Sequence, residues 1–186
     1  MNKGTRTFYL LVSVSLVAMT AIVTKRLFVK DRIIIRGHSM TPTYYDGDTL
    51  WIYSDVKNRT IKAQDVVIFK HPYSDKILCK RCIAAAGDSV LFARSPFDTT
   101  LYSRILYAPS QGDSLTFDKE SFHHYRKCIA WETGKDISHS LDGYRFTQNW
   151  FYFLGDNRNH SVDSRHFGLV PESNIIGTVR ITRHRK

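Results

Sequence analysis

For its length this chain is poor in acidic residues and in cysteine. Of its 186 residues, 17 are Asp or Glu against 27 Lys or Arg, which leaves a formal net charge of +10. An excess of that kind attracts phosphate, whether of nucleic acid or of lipid. No helical pattern of the helix-turn-helix kind precedes residue 39, which argues against a DNA-reading helix. The basic residues cluster instead behind an apolar run, at Lys25, Arg26, Lys30, Arg32 and Arg36, where anionic lipid headgroups would meet them. A second group, Arg180, Arg183, Arg185 and Lys186, makes a solvated or lipid-facing tail. The expected partner surface is therefore a lipid bilayer, with no nucleic acid.

Cysteine is limited to Cys79, Cys82 and Cys128, an odd number. The spacing of Cys79 and Cys82 is that of zinc and redox motifs, but a zinc site needs two further ligands, and a redox motif opens a helix after a strand. Here the motif falls inside a strand-like run, so packing as small apolar residues is the simpler reading, and a disulfide to Cys128 stays open. His123, His124 and His139 read as solvated loop histidines, so neither a metal nor a cofactor is expected. There is no internal repeat.

The length suits one domain, or one domain with a sizeable insertion. After a short polar tail, residues 1–6, the stretch from Thr7 to Thr24 carries no charge and approaches the length of a membrane-spanning helix. It is expected to be a retained single-pass anchor rather than a cleaved leader, because Lys25-Arg26 makes a poor cleavage site. Residues 25–186 then form the remaining domain. Five Lys or Arg soon after the run favour a cytoplasmic domain by charge bias alone.

From residue 31 the pattern changes to short β-branched and aromatic runs: Ile33-Ile34-Ile35, Thr49 to Tyr53, Asp65 to Phe69 and Lys76 to Ile83. Turn signals at Gly47-Asp48, His71-Pro72 and Gly87-Asp88 bound them. Trp150 to Leu154 reads as a buried strand and Ile175 to Ile181 as a closing strand. Residues 94–149 are polar and weakly periodic, with turn signals at Ser95-Pro96, Pro109-Ser110 and Gly112-Asp113, and are expected to be a variable insertion carrying a few strands. The fold class is mainly β.

Within this frame, Gly37-His38-Ser39-Met40-Thr41-Pro42 sets a small nucleophile at a bend. A serine hydroxyl needs a base within hydrogen-bond reach and donors aimed at a developing oxyanion. Lys80 is a candidate base. On a strand over 76–83, Leu78, Lys80 and Cys82 share one face, so the amine emerges between apolar neighbours that lower its pKa by desolvation. Arg81 points the other way and stays charged. His38, His160 and His166 lie beside these motifs, but the ring of His38 projects away from its neighbour's hydroxyl in an extended backbone, and a Ser-His-Asp triad is disfavoured.

Ser39-Met40-x-Pro42, then Lys80-Arg81 ahead of Gly87-Asp88, then Gly155-Asp156-Asn157-Arg158 with Ser161-x-Asp163-Ser164-Arg165 resemble, in order and spacing, the type I signal peptidases, membrane-anchored serine/lysine proteases. The resemblance covers the anchor, about residues 31–90 and about 150–180. It implies a β-rich catalytic domain with an inserted β subdomain, behind one transmembrane helix and on the extracytoplasmic face of the plasma membrane, against the charge bias. It implies that Ser39 is the nucleophile and Lys80 its base, that Ser161 orients the lysine amine, and that the backbone N–H of Ser39 serves the oxyanion. Asp156, Asn157, Arg158, Asp163 and Arg165 would brace this loop. An aspartate beside Lys80 would hold it charged, which independently places these carboxylates outside the proton path. The substrates implied are signal peptides of exported precursors, cut after a small-x-small sequence. Ile35, Met40 and Leu78 flank the two catalytic positions and are expected to line shallow substrate pockets.

Gly37 matches the branch of the family with glycine, rather than a hydroxyl residue, two positions before the nucleophile. Ala84-Ala85-Ala86 replaces the usual Gly-Leu-Pro-like run, which loosens a turn without removing a catalytic group. Two competitors remain: a self-cleaving repressor-type protease using the same dyad, and a membrane-tethered β-rich binding module without peptidase activity.

Overall fold

A computed structural model describes residues 3–53, 60–92, 104–137 and 141–179, without the side chains of 3, 7, 21–31, 92, 104 and 120. A long helix, α1 (Lys3–Phe28), leads directly into β1 (Val29–Ile34). The strands that follow are β2 (Thr49–Tyr53), β3 (Val66–Lys70), β4 (Ile77–Ala84), β5 (Ser89–Phe92), β6 (Arg104–Tyr107) and β7 (Ser114–Thr116). Helix α2 (Lys119–Thr133) precedes β8 (Gly143–Arg145) and β9 (Trp150–Leu154), and a one-turn helix, α3 (Ser164–Phe167), precedes β10 (Val170–Pro171) and β11 (Ile175–Val179).

Seven strands form one sheet in the order β1-β2-β11-β3-β4-β9-β10, each pair antiparallel. The closing strand β11 is inserted between β2 and β3, so the last described strand ties the nucleophile's side of the sheet to the lysine's side. Two of the apolar clusters that pack about this sheet meet at β3. One gathers Ile35, Met40, Tyr44, Leu50, Ile52, Val66, Ile68 and Val179. The other gathers Val67, Phe69, Cys82, Phe151, Phe153, Phe167 and Val170, with Phe69 and Phe153 stacked at 4.6 Å. Val67 and Phe69 face one cluster and Val66 and Ile68 the other, the period-two alternation of a strand buried on both faces.

The mainly β class holds, and β2 and β9 occupy the runs expected for them. Within 94–149, β6 pairs with β5 ahead of it and β7 with β8, and between β7 and β8 lies the 15-residue helix α2, with Phe122, Tyr125, Cys128 and Ile129 buried against Trp150 and Tyr152. That spacing puts them on one helical face. His and Lys or Arg residues interleave with it, and the stretch reads as polar. The Ser95-Pro96 turn, His139, the basic tail and the end of the closing strand beyond 179 lie outside the described residues.

Among the described residues no helix is long and apolar enough to cross a membrane. The side chains described without a break within the expected anchor are those of 8–20, about 20 Å of helix where a bilayer core needs about 30 Å. The remainder of the run, at 7 and 21–24, lies outside them, as do the side chains of Lys25, Arg26 and Lys30.

Helix α2 is held to the sheet through Glu132. Its carboxylate accepts from the indole N–H of Trp150 at 2.8 Å, from the Tyr144 hydroxyl at 3.0 Å, and from the backbone N–H and the hydroxyl of Thr147, each at 2.8 Å. Trp150 is buried, so Glu132→Ala would strand its donor away from water. Unfolding of that variant in urea should show a loss of roughly 2–3 kcal/mol. A loss below about 0.5 kcal/mol would mean that apolar packing alone seats the helix.

Candidate active site

Ser39 stands in the turn between β1 and β2. Gly37 has φ +84°, a left-handed conformation that costs glycine little and other residues more, and its N–H donates to Asp46 Oδ1 at 2.7 Å. The turn closes through the Tyr44 N–H on the Met40 carbonyl at 2.9 Å. Met40 is buried beneath it, which fixes the turn to the core and leaves Ser39 half exposed.

Lys80 comes from β4. Lys80, Cys82 and Ala84 are the buried members of the strand's alternating pattern, as expected for the face carrying Lys80. The pairing of β9 with β4 stops at Leu154 opposite Arg81, one residue short of Lys80. The chain leaves the sheet at Gly155, and the segment that follows brings Asp156 and Asp163 within electrostatic reach of the amine. Lys80 is only 3 % exposed, and its Nζ lies 2.5 Å from Ser39 Oγ.

Burial lowers the Lys80 pKa below the ordinary lysine value, against the opposing pull of Cys79, Asp163 and Asp156. Each aspartate has its own cation. Asp156 accepts from Arg81 Nε at 2.8 Å and from another guanidinium nitrogen of Arg81 at 2.6 Å, and Thr43 adds a hydroxyl at 2.5 Å. Asp163, fully buried, accepts from two nitrogens of Arg165 at 2.8 and 2.9 Å and from the Gly155 N–H at 3.1 Å. Burial alone would raise both carboxyls; these donors bring both below the usual carboxylate value. Asp163 also caps α3, its backbone N–H donating to His166 Nδ1 at 3.3 Å, so that histidine is engaged in capping a helix.

Asn157 and Arg158 act through the backbone. The Asn157 N–H donates to the Ser39 carbonyl at 3.0 Å, and the Arg158 carbonyl accepts from Arg165 at 2.6 Å. Ser161 is buried beside them, where its hydroxyl is among the groups that lower the Asp163 carboxyl, and it is not bonded to Lys80. Of the residues expected to line pockets, Ile35 and Met40 are buried in one apolar cluster and Leu78 is half-buried against the other. Cys79, Cys82 and Cys128 are free thiols; burial pushes Cys79 and Cys82 up to about 12, and Cys128 up as well. The alanine run before Gly87 ends in a turn closed by Asp88, whose carboxylate accepts from the Ala85 N–H at 3.0 Å.

The profile of the family described as signal peptidase, peptidase S26, matches residues 7–183. The chain belongs to this family. Among curated relatives, signal peptidase I V of Bacillus subtilis is 27% identical over 92% of this chain and 95% of its own length. Signal peptidase I of Bacillus caldolyticus is 29% identical, over 88% and 84% respectively. A solved signal peptidase I from Enterococcus faecalis is 24% identical, over 66% of this chain and 98% of that one, with a TM-score of 0.34, too low to bear on the fold.

Gly155, part of the last motif, has a role that the motif alone does not disclose. A Cβ there would meet the Ser39 carbonyl oxygen at 2.5 Å and run into the Ser161 side chain. The signal available beforehand was its place at the end of an aromatic strand, where glycine marks close backbone approach. Gly155→Ala should leave the sheet folded and displace Ser39 from Lys80, lowering turnover by about 100-fold. Turnover within twofold of the parent, with an unchanged melting temperature, would show that the contact is not needed.

Proposed function

We propose that this protein is a serine endopeptidase that removes signal peptides from exported precursors after a small-x-small sequence, with Ser39 as nucleophile and Lys80 as general base. The observation that carries this reading is the 2.5 Å contact between Ser39 Oγ and a lysine amine that is shut away from water. The neutral amine takes the Ser39 proton as Oγ attacks the scissile carbonyl, and the ammonium so formed returns it to the leaving amine. A water, deprotonated by the same amine, then releases the acyl group from Ser39. The backbone N–H of Ser39 is our candidate oxyanion donor, and the buried hydroxyl of Ser161 our candidate for orienting the amine once substrate has entered.

The 26-residue helix α1 and the apolar side chains it exposes, among them Phe8, Leu11, Val14 and Val17, support a single-pass anchor over residues 7–24. Residues 25–186 then form the catalytic domain, with 94–149 inserted. Since exported precursors emerge on the far side of the membrane, the domain would face the extracytoplasmic side.

Ser39→Ala and Lys80→Ala should each reduce cleavage of a model precursor to background with circular dichroism unchanged. The parent should accept Ala or Gly at the −1 position and reject Phe. Near-parental turnover by either variant would remove the dyad, and equal processing of Ala and Phe would remove the signal-peptide specificity.

The pH dependence has a definite sign. Below its depressed pKa Lys80 is an ammonium and has no lone pair to accept a proton; above it the amine is free. Activity should therefore rise with pH through the lowered lysine value, as a single limb unaffected by replacing His38, His160 or His166. A limb near 6.5 abolished by one of those histidine replacements would point instead to a histidine base.

A further inference from the structure

The contacts that bring Ser39 to Lys80 include one residue to which neither the sequence nor the family resemblance gave a role. Thr43 lies four positions after the nucleophile, in the same turn. Its hydroxyl donates to Asp156 Oδ2 at 2.5 Å and accepts from Arg81 at 3.3 Å. A hydroxyl has one proton to give and two lone pairs, so the single donor is fully committed to the carboxylate. Arg81 is the residue after the proposed base, and Asp156 follows Gly155. One threonine hydroxyl thus joins the three segments on which the dyad depends: the nucleophile turn, strand β4 and the turn after β9.

The other end of this assembly is fixed independently. Arg81 gives a third guanidinium nitrogen to the Gln64 carbonyl at 2.9 Å. Gln64 has φ +76°, the left-handed region that non-glycine residues seldom adopt, and its own N–H is bound to the Cys82 carbonyl at 2.8 Å. Arg81 and Asp156 are therefore held by β4 and its neighbours whether or not Thr43 is present. The nucleophile turn touches this frame through the Thr43 hydroxyl and, nearer Ser39, through the Asn157 N–H on the Ser39 carbonyl at 3.0 Å.

We propose that Thr43 is a positioning residue for the reaction: its bond to Asp156 draws the nucleophile turn down onto β4, keeping Ser39 Oγ on the Lys80 amine and water out from between them. This rests on the Ser39–Lys80 reading. Without the hydroxyl, the turn has one polar tie fewer to the frame and lifts, and water reaches the amine. The titratable groups acting on Lys80 are Cys79 on its own strand and Asp156 and Asp163 on the turn after β9, and all three stay in place. The change in solvent access then sets the sign. Hydration favours the ammonium, so the activity limb moves to higher pH.

The test compares full-length Thr43→Val, Thr43→Ala and Thr43→Ser with the parent in cleavage of a model precursor across pH, with thermal melts for each. Thr43→Val keeps the shape and removes the donor; Thr43→Ala serves if valine does not fold. Expected for either is a fall in kcat of about 30- to 100-fold with KM little changed, an activity limb displaced upward in pH, and partial recovery of rate at the alkaline end. Thr43→Ser should restore both rate and limb. A kcat within twofold of the parent, or a fall in rate with the limb unmoved, would overturn the positioning role. Activity retained in Ser39→Ala would instead defeat the underlying dyad, so the two failures are distinguishable.

Discussion

Everything about this site follows from one constraint: a lysine amine must be neutral to act as a base, and it is neutral near physiological pH only where water cannot stabilise its charge. The sheet meets that requirement by geometry. Lys80 occupies the buried face of β4, β9 stops pairing one residue short of it, and the chain beyond β9 is tied to the Ser39 carbonyl through the Asn157 N–H. Ser39 then closes the remaining side at 2.5 Å. The same packing that depresses the amine's pKa also places its target, so burial and positioning are not separate devices.

Neighbouring carboxylates are the threat to this arrangement, because each favours the ammonium. Asp156 and Asp163 are both close enough to act on Lys80, yet burial of the amine outweighs them. Each is matched by a guanidinium in paired hydrogen bonds, which commits its negative charge to fixed donors. Arginine suits this role because it cannot give up its proton, so the brace keeps its charge over the whole range in which the lysine titrates.

The parts of this fold legible in the sequence were those with strong local signals. The aromatic run Trp150 to Leu154 and the alternation around Lys80 could be read directly, because a strand buried on one or both faces announces itself by composition and period. Helix α2 was not legible. Its apolar face is carried by Phe122, Tyr125, Cys128 and Ile129, and much of its hold on the sheet is polar, through Glu132, whose partners Tyr144, Thr147 and Trp150 are remote in sequence. The burial of Met40 was not legible either, since nearness to the nucleophile along the chain says nothing about which side of a turn a side chain takes: Met40 faces the core while Ser39 meets the Lys80 amine.

Ser161 and Gly155 show how far the site depends on close approach rather than on bonds. A glycine lets the turn after β9 lie against both the Ser39 carbonyl and the Ser161 side chain. The same approach buries Ser161 next to Asp163, whose carboxyl its hydroxyl helps to lower. A single added methyl at 155 would therefore press on the nucleophile turn and on the final loop at once, because the space for it is already filled by the Ser39 carbonyl on one side and by Ser161 on the other.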